Sequence, residues 1–476
     1  MTTFLVALVA LLLGFFIYSR ILENFFKPTD RPTPALTKKD GVDFVPLPTW
    51  KVFLIQLLNI AGLGPIFGAL GGAIWGTSVY LWIVLGTIFA GSVHDYLSGM
   101  ISIREGGKSL PEIVGKYLGG TALTIMRFFL VALMILVGAV FTVGPAGLLK
   151  MLTGISVPVL LVIILLYYFL ATLLPIDKLI GRLYPLFGIC FIIMALGVMG
   201  GMLLMSGEEM PEMQLANLHP QGDDMPIWPL MFITVACGAI SGFHATQSPM
   251  MARCLTNEHL ARPVFYGAMV CEGIIALIWA AAGITFYHNT GNLATALSTN
   301  GAGAVVYEIC NGFMGSGIGM ALAMIGVVVC PITSGDTALR SARLILADWV
   351  SFAQDKLPKR LMLSVPIIIV AGLITQLDFN VIWRYFAWLN QSLATIVLWT
   401  GAVYMSKKMQ NRAFLMPLIP AFFMTIVTTT YIIQAPEGLQ MSPILGNVVA
   451  VIFAVLCLLQ FLRTCRPNFK LSAKFS

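Results

Sequence analysis

Two apolar segments, Asn59-Ile-Ala-Gly-Leu-Gly-Pro-Ile-Phe-Gly68 and Cys237-Gly-Ala-Ile-Ser-Gly-Phe-His-Ala-Thr-Gln-Ser-Pro249, concentrate glycine, proline and polar residues in the middle of long hydrophobic runs. Proline removes a backbone donor and glycine relaxes the backbone, so a continuous helix is disfavoured in both segments. The alternative interpretation is that the glycines permit close helix packing and the prolines merely kink the helices. The matched depth of the two segments favours two broken helices.

The rest of the chain carries more apolar surface than one soluble core could hide. Of its 476 residues, 58% are hydrophobic and only 10% are charged, and the mean hydropathy is +0.90. The sequence therefore predicts an all-α polytopic membrane protein with about thirteen transmembrane helices, each near the ~20 residues that cross a bilayer. The predicted spans, numbered helix 1 to helix 13, are 3–20, 51–75, 78–103, 122–149, 157–176, 181–205, 226–252, 263–287, 313–338, 360–377, 379–405, 413–434 and 442–462.

The two interrupted segments lie in helices 2 and 7, five helices apart. Because five is odd, these helices cross the membrane in opposite directions, as a 5+5 inverted repeat of helices 2–6 and 7–11 requires, with extra helices at both ends. The expected units are helix 1 with a cytoplasmic Pro-rich linker (1–50), the first repeat (51–206), an external acidic loop (207–225), the second repeat (226–406), and helices 12 and 13 with a cytoplasmic tail (407–476).

The distribution of basic residues predicts the orientation. With the N-terminus outside, 26 of the 28 Lys and Arg residues fall in cytoplasmic loops and helix ends, and only Lys150 and Arg384 do not. This split predicts an external N-terminus and a cytoplasmic C-terminus. The net charge of +7 then belongs to the inner membrane face rather than to a nucleic-acid site. The acidic loop either gates entry or stays solvated, and charge runs usually stay solvated.

Interrupted helices at corresponding positions indicate a transporter's binding site, because unwound backbone exposes polar groups that lipid cannot satisfy. No Lys or Arg lies deep in the predicted core, so a small carboxylated substrate would rely on N–H groups after Gly64 and Gly242, assisted by His244. Asn390 and Gln391 either join this site or only hydrogen-bond across the bundle. The candidate substrate-binding residues are Asn59, Gly62, Gly64, Pro65, Ser241, Gly242, His244, Gln247, Asn390 and Gln391.

Ionisable residues inside the predicted spans are candidates for proton coupling, since such residues are rare in membranes and usually face a cavity, a partner or a proton path. They are His94, Asp95, Glu272 and Asp336. The alternative for the adjacent His94 and Asp95 is a structural pair that locks helices together. Glu272 has no basic residue near it within its own span.

Helix 9 offers oxygens that suit a monovalent cation. In Cys330-Pro-Ile-Thr-Ser334, Pro331 provides no N–H donor, and the carbonyl of residue 330 shares a helical face with the hydroxyls of Thr333 and Ser334. Carbonyl and hydroxyl oxygens bind such ions, although Ser and Thr also satisfy lone helix carbonyls. Ion binding and simple capping both remain open here.

These residues resemble the carbon starvation protein A family of bacterial transporters. The segments that carry the resemblance run in family order across nearly the whole chain: Gly64-Pro-Ile-Phe-Gly-Ala69, Gly91-Ser-Val-His-Asp95, Pro175-Ile-Asp-Lys-Leu-Ile-Gly-Arg-Leu-Tyr-Pro-Leu-Phe-Gly188, Ala236-Cys-Gly-Ala-Ile-Ser-Gly-Phe-His244, Asp336-Thr-Ala-Leu-Arg340 and Asn390-Gln391. The resemblance implies a leucine-transporter-like secondary transporter of the bacterial inner membrane that takes up peptides or pyruvate in starvation. It also implies a sodium site at Leu58, Ala61, Cys330, Thr333 and Ser334, although a proton-coupled member could keep the same oxygens.

A symporter is therefore the favoured function, and a channel or facilitator without ion coupling is the alternative, although no repeated pore loop or charged ring occurs. The sequence contains no nucleophile motif, HExxH or metal-ligand spacing, and its 8 cysteines are interpreted as packing residues. We therefore expect no enzyme activity and no cofactor beyond a coupling sodium ion or proton. The expected partners are a small-molecule substrate and the lipid bilayer, and the oligomeric state is open.

Overall fold

A computed structural model gives the fold of the chain and describes residues 1–40, 44–173, 176–205, 210–315, 317–354, 356–409 and 412–465. The side chains of 173–183, 205, 318–320 and 322–323 lie outside this description. Part of the Pro175–Gly188 motif, the residues Glu208 and Glu209 of the acidic loop and most of the basic tail fall outside the described residues as well.

All thirteen predicted spans are helical or broken helical in the part of the chain that the structure describes, which confirms the all-α fold class. Among the described residues, seven helices are long and apolar enough to cross a membrane, and the bent pair in helix 2 makes an eighth. The others are shorter, broken or more polar. In chain order the helices are Thr2–Phe26, Thr49–Ala61 with Gly64–Ala73, 79–104, Gly120–Thr153, Val157–Leu173, Ile176–Met205, 227–234 with His244–Ala252, Glu258–Tyr287, Ile318–Trp349, Leu357–Ile374, Phe379–Tyr404, Leu415–Gln434 and Pro443–Cys465.

One further long helix lies where the sequence suggested only a connection between helices 8 and 9. Thr290–Met314 is helical, with a kink at Gly301, whose φ is +80°. Asn289 begins this helix by accepting a hydrogen bond from the N–H of Asn292 at 2.8 Å. Its polar composition hides it from a search for apolar spans. A short helix, Leu110–Leu118, also precedes helix 4.

Contacts between loops group the connections at the two ends of the molecule. At one end, the Glu212 carboxylate accepts the N–H groups of Thr2 and Thr3 at 2.8 and 2.9 Å, and Thr290 Oγ1 donates to the Leu218 carbonyl at 2.7 Å. The start of helix 1, the acidic loop and the connection between helices 8 and 9 therefore meet at this end, which we call the acidic-loop end. At the opposite end, Glu258 Oε1 lies 2.6 Å from Arg31 Nε in the linker after helix 1.

Both predicted helix interruptions are present. Helix 2 bends by 52° between its two halves, and Gly62 at the break has a φ of +49°, which favours glycine. In helix 7, residues 235–243 separate the two helical pieces. The breaks touch each other, since a Cβ on Gly64 would lie 2.0 Å from Cys237 Cβ. Glycine at this position is therefore what lets the two broken helices cross.

Helices of the two repeats pack on one another around these breaks. Helix 9 packs along helix 4, helix 6 contacts both helix 2 and helix 9, and the second half of helix 7 lies on helix 3. Helix 12 lies between helices 11 and 13, and helix 1 packs against helices 3 and 8. The breaks are consequently surrounded by helices 3, 8, 9 and 11, which carry the polar residues of the candidate site.

Candidate functional site

Four ionisable side chains from three helices form one buried chain of contacts beside the break in helix 7. Asp95 Oδ1 lies 2.7 Å from His94 Nδ1, and Asp95 Oδ2 lies 2.9 Å from His244 Nδ1. His244 Nε2 lies 3.4 Å from Glu272 Oε2. Helices 3, 7 and 8 thus contribute to a single group, which we call the His-carboxylate network, His94–Asp95–His244–Glu272.

The network is sealed from solvent, since all four side chains have 0% relative exposure. Carboxylate oxygens face both ring nitrogens of His244, and imidazolium is the form that offers two N–H donors. Among the described residues, no Lys or Arg pairs with these groups. With both carboxylates ionised and His94 neutral, the network carries one negative charge, and a proton on Glu272 would neutralise it. Such a group can exchange a proton.

Asn390 of helix 11 closes the break in helix 7. Its Oδ1 accepts hydrogen bonds from Ser241 Oγ at 3.0 Å and from the N–H of Phe243 at 2.7 Å. Its main-chain carbonyl accepts the N–H of Gly242 at 2.9 Å. A Cβ on Gly242 would lie 2.4 Å from that carbonyl oxygen. Of the N–H groups that the sequence offered to a substrate carboxylate, those at the break in helix 7 are therefore bound to Asn390 in this conformation.

Residues that the sequence analysis did not select bind the carbonyls of the same break. Trp82 Nε1 donates to the carbonyls of Phe232 and Val235, both at 3.1 Å, and Thr87 Oγ1 donates to the Gly238 carbonyl at 3.1 Å. Helix 3 therefore supports helix 7 along its length. The π-helical segment Gly86–Gly91 contains Thr87 and lies between Trp82 and His94, so ordinary helical spacing would not have placed these side chains on one face.

Gln391 acts beside these donors rather than at the network. Its Nε2 donates to the Phe232 carbonyl at 2.6 Å and to the Val235 carbonyl at 3.3 Å. Gln247, in the second half of helix 7, donates to Thr246 Oγ1 at 2.7 Å. Gln391 of helix 11 therefore contacts helix 7 before and at the start of its break, whereas Gln247 lies in helix 7 after the break.

At the break in helix 2, Asn59 is buried, and neither polar atom of its side chain has a hydrogen-bond partner among the described residues. Buried amides are normally paired, so this side chain is available to a ligand or water. One turn earlier, Gln56 Nε2 donates to Ser248 Oγ at 3.1 Å and joins helix 2 to helix 7. Pro65 follows the break as the second residue of the segment Gly64–Gly68.

The candidate sodium residues approach one another but already bind each other in part. Cys330 Sγ donates to the Leu58 carbonyl at 3.3 Å, and Thr333 Oγ1 donates to the Cys330 carbonyl at 2.8 Å. Ser334 Oγ is buried without a hydrogen-bond partner in the described structure, and Ala61 ends the first half of helix 2. Two of the carbonyls that would bind the ion are thus occupied by neighbouring side chains.

Asp336 lies apart from the His-carboxylate network. Its Oδ2 lies 3.3 Å from Arg340 Nη2, one turn along helix 9. This pair differs from the network in holding its carboxylate against a permanent cation. The sequence grouped Asp336 with the other three titratable residues, and the structure gives it a separate partner.

Cys237 adds a third donor type near the network. Its Sγ and donor atoms of His244 and Glu272 all lie within 4.8 Å of one another. The ligands of tetrahedral zinc are separated by about 3.4–3.7 Å, as bond lengths of ~2.0–2.3 Å require. These three donor atoms are one fewer than the four that a closed tetrahedral site uses.

A cavity of about 780 Å³ opens at the acidic-loop end and is lined by both repeats. Its aromatic residues include Phe67, Phe379 and Trp383, and the ring centroids of Phe67 and Trp383 are 6.1 Å apart. From Trp383, further ring contacts lead through Phe386 and Phe141 to Phe243, which precedes His244. An aromatic column therefore connects the cavity with the break in helix 7.

Comparison with known proteins confirms the resemblance seen in the sequence. The sequence model described as carbon starvation protein CstA matches residues 1–156, 146–290 and 280–431. An uncharacterized membrane protein of Haemophilus influenzae is 41% identical over 65% of this chain and 97% of its own length. The peptide transporter CstA of Bacillus subtilis is 25% identical over 90% of each chain.

The pyruvate/proton symporter BtsT of Escherichia coli is 28% identical over 55% of this chain, which matches 46% of the relative's length. Among solved structures, that of Mhp1, a nucleobase-cation-symport-1 family transporter, aligns with a TM-score of 0.50 at 12% identity. It covers 89% of this chain and 94% of the Mhp1 chain. This likeness concerns the fold, and it confirms a leucine-transporter-like arrangement.

Proposed function

Because the chain belongs to the carbon starvation protein CstA family, we propose that it is a proton-coupled symporter that imports a small carboxylated nutrient, a peptide or pyruvate, during carbon starvation. The chain is a multi-pass membrane transporter and not an enzyme. We place it in the bacterial inner membrane with the acidic-loop end outside and the C-terminus in the cytoplasm, as the distribution of Lys and Arg indicates.

The observation that carries the proposal is the His-carboxylate network. Glu272 is fully buried, and neither of its oxygens has a hydrogen-bond partner in the described chain, although His244 Nε2 is 3.4 Å from Oε2. A buried network with a net charge is costly in a low-dielectric interior. One proton on Glu272 removes that charge, so proton binding and release can be tied to the conformation of helices 3, 7 and 8.

Substrate binding can be tied to the same helices. Asn390 accepts hydrogen bonds from the N–H groups of Gly242 and Phe243. These two residues directly precede His244 in helix 7. A substrate carboxylate would replace the Asn390 oxygens at these donors, which releases helix 11 from helix 7. Because His244 begins the second half of helix 7, this exchange would alter its contacts with Asp95 and Glu272.

We favour a proton over a sodium ion as the coupling ion. The Leu58 and Cys330 carbonyls already accept the Cys330 thiol and the Thr333 hydroxyl. A sodium ion would have to share these carbonyls with both donors, whereas a proton needs no ligand cage. The name of the Escherichia coli relative, a pyruvate/proton symporter, agrees with this preference.

The test is uptake of labelled pyruvate and of labelled tripeptide into proteoliposomes, with proton and sodium gradients imposed separately. We expect accumulation above equilibrium when the proton gradient alone is present. Accumulation that follows the sodium gradient would overturn the choice of ion. Equilibration that ignores both gradients would instead establish a facilitator, the alternative left open by the sequence.

A further inference from the structure

The cavity at the acidic-loop end, which we call the outer cavity, contains charged side chains of both signs that do not pair with each other. Arg384 lines it at the start of helix 11, and Asp223 and Asp224 line it from the acidic loop. Neither aspartate carboxylate has an ion-pair or hydrogen-bond partner among the described residues. The guanidinium nitrogens and these carboxylate oxygens therefore lie more than 4.0 Å apart.

Arg384 is held in place and still has donors to offer. Its Nε lies 3.0 Å from Glu437 Oε1, and the Tyr431 hydroxyl also donates to Glu437 Oε1. The Glu437 side chain is only 4% exposed, whereas that of Arg384 is 35% exposed. Within the described structure, Glu437 is the partner of Arg384. The two terminal guanidinium nitrogens therefore remain for a ligand, in the fork that matches a carboxylate.

The cavity's other basic residue does not compete for an anion. His219 stacks on Trp75, with ring centroids 4.7 Å apart. Burial lowers the pKa of His219, so its ring is neutral at neutral pH. Arg384 is thus the permanent cation of the lining, and Asp223 and Asp224 are its exposed anions.

The aromatic column separates this cavity from the His-carboxylate network. Phe67 and Trp383 contribute to its lining, and Phe386 lies beyond Trp383 with ring centroids 5.3 Å apart. His94, His244 and Glu272 are not among the lining residues of the cavity. A molecule in the cavity would therefore be bound at a place distinct from the network.

We propose that the outer cavity is a second binding site, which holds a zwitterionic short peptide with its carboxylate on Arg384 and its ammonium group on Asp223 or Asp224. A volume of about 780 Å³ accommodates such a ligand with water around it. An extended tripeptide spans about 10 Å and can bridge opposed charges, whereas pyruvate carries no ammonium group. This proposal rests on the proposed function in one respect, namely that the bound peptide is passed on for transport to the site at the breaks in helices 2 and 7.

The test measures binding of trialanine, N-acetyl-trialanine and trialanine amide to the purified full-length protein, by calorimetry without any gradient. Arg384→Gln should weaken trialanine binding about tenfold or more, since charge-assisted hydrogen bonds contribute ~1.5–3 kcal/mol. The same change should leave the amide unaffected. The double variant Asp223→Asn/Asp224→Asn should weaken trialanine but not N-acetyl-trialanine.

Lys150→Gln is the matched control, because it removes the other external basic residue, which does not line the cavity. Its trialanine affinity should equal that of the unmodified protein. The paired variant Arg384→Gln/Glu437→Gln avoids leaving Glu437 as an unpaired buried charge, and it should show the same selective loss. Equal effects of Arg384→Gln on the acid and the amide, or no effect on either, would overturn the site.

Failure of this site and failure of the proposed function give different results. If the charge-selective binding is absent while uptake still follows the proton gradient, the outer site is wrong and symport stands. If the binding is present while uptake ignores the proton gradient, the outer site stands and the coupling is wrong.

Discussion

His244 Nδ1 lies 2.9 Å from Asp95 Oδ2, which joins the broken helix of the second repeat to an unbroken helix of the first. The two residues are 149 positions apart in the chain, and both side chains are fully buried. Helix 7 can therefore not move relative to helix 3 without exchanging this hydrogen bond. A transport cycle in which the two repeats move relative to each other would break and re-form this hydrogen bond.

Because the two broken helices touch at Gly64, we expect that a larger side chain does not fit at this position. Gly64→Ala places a Cβ 2.0 Å from Cys237 Cβ and 2.4 Å from its Sγ, so the broken helices must separate. We expect a loss of about 1–3 kcal/mol of stability, typical of overpacking, together with loss of uptake. Thermal unfolding of the purified protein and uptake by proteoliposomes measure the two effects.

Gly147→Ala is the control for this substitution. Gly147 lies in helix 4, and a Cβ added there meets no atom within 4 Å. Alanine is favoured over glycine within a helix by up to about 1 kcal/mol, so stability should be kept or raised. Equal behaviour of Gly64→Ala and Gly147→Ala would contradict the contact between the breaks.

Replacing Asn390 should destabilise the break in helix 7. Asn390→Ala removes the oxygen that accepts from Ser241 and Phe243 and leaves a buried N–H without a partner. The cost should be about 1–3 kcal/mol, measurable by thermal unfolding. The apparent affinity for transported substrate should also rise, because the substrate then competes only with the main-chain carbonyl of residue 390. Asn447→Ala removes an amide that accepts from Trp228 instead, and it should leave that affinity unchanged.

Glu258 joins three segments at the end of the molecule opposite the acidic loop. Its carboxylate lies 2.6 Å from Arg31 Nε and 3.2 Å from Arg104 Nη2, and it accepts the N–H of Thr29 at 3.0 Å. Glu258→Gln removes the charge that holds the linker after helix 1. Because Arg31 is 49% exposed, the expected loss is reduced to about 1–2 kcal/mol.

Hydrogen–deuterium exchange measures this loosening directly. Peptides that cover the linker around residue 31 should exchange faster in Glu258→Gln than in the unmodified protein. Glu112→Gln changes a carboxylate that caps the short helix before helix 4 and should leave that peptide unaltered. If both variants exchange alike in the linker, Glu258 does not hold this end.

The sequence was sufficient to predict features that local chemistry determines. Proline at position 65 and glycine at 62 disrupt a helix wherever it packs, and hydropathy marks the spans. The breaks and the helical segments were therefore predicted correctly. Thr290–Met314 was interpreted only as a connection, because its polar residues carry no apolar span signal.

The arrangement of the site depends on how distant helices cross, which local patterns do not determine. His94, Asp95, His244 and Glu272 were each selected for being ionisable within a span. Their assembly into one network follows from the packing of helices 3, 7 and 8. The separate pairing of Asp336 with Arg340 has an i,i+4 spacing that the sequence does contain.

The central claim is that Glu272 carries the coupled proton. The most direct measurement is substrate-induced proton movement, followed with a pH-sensitive dye inside proteoliposomes that contain the unmodified protein, Glu272→Gln or the control Glu105→Gln. We predict that substrate drives protons inward with the unmodified protein and with Glu105→Gln, while Glu272→Gln exchanges substrate without proton movement. Proton movement by Glu272→Gln equal to that of the unmodified protein would contradict the claim.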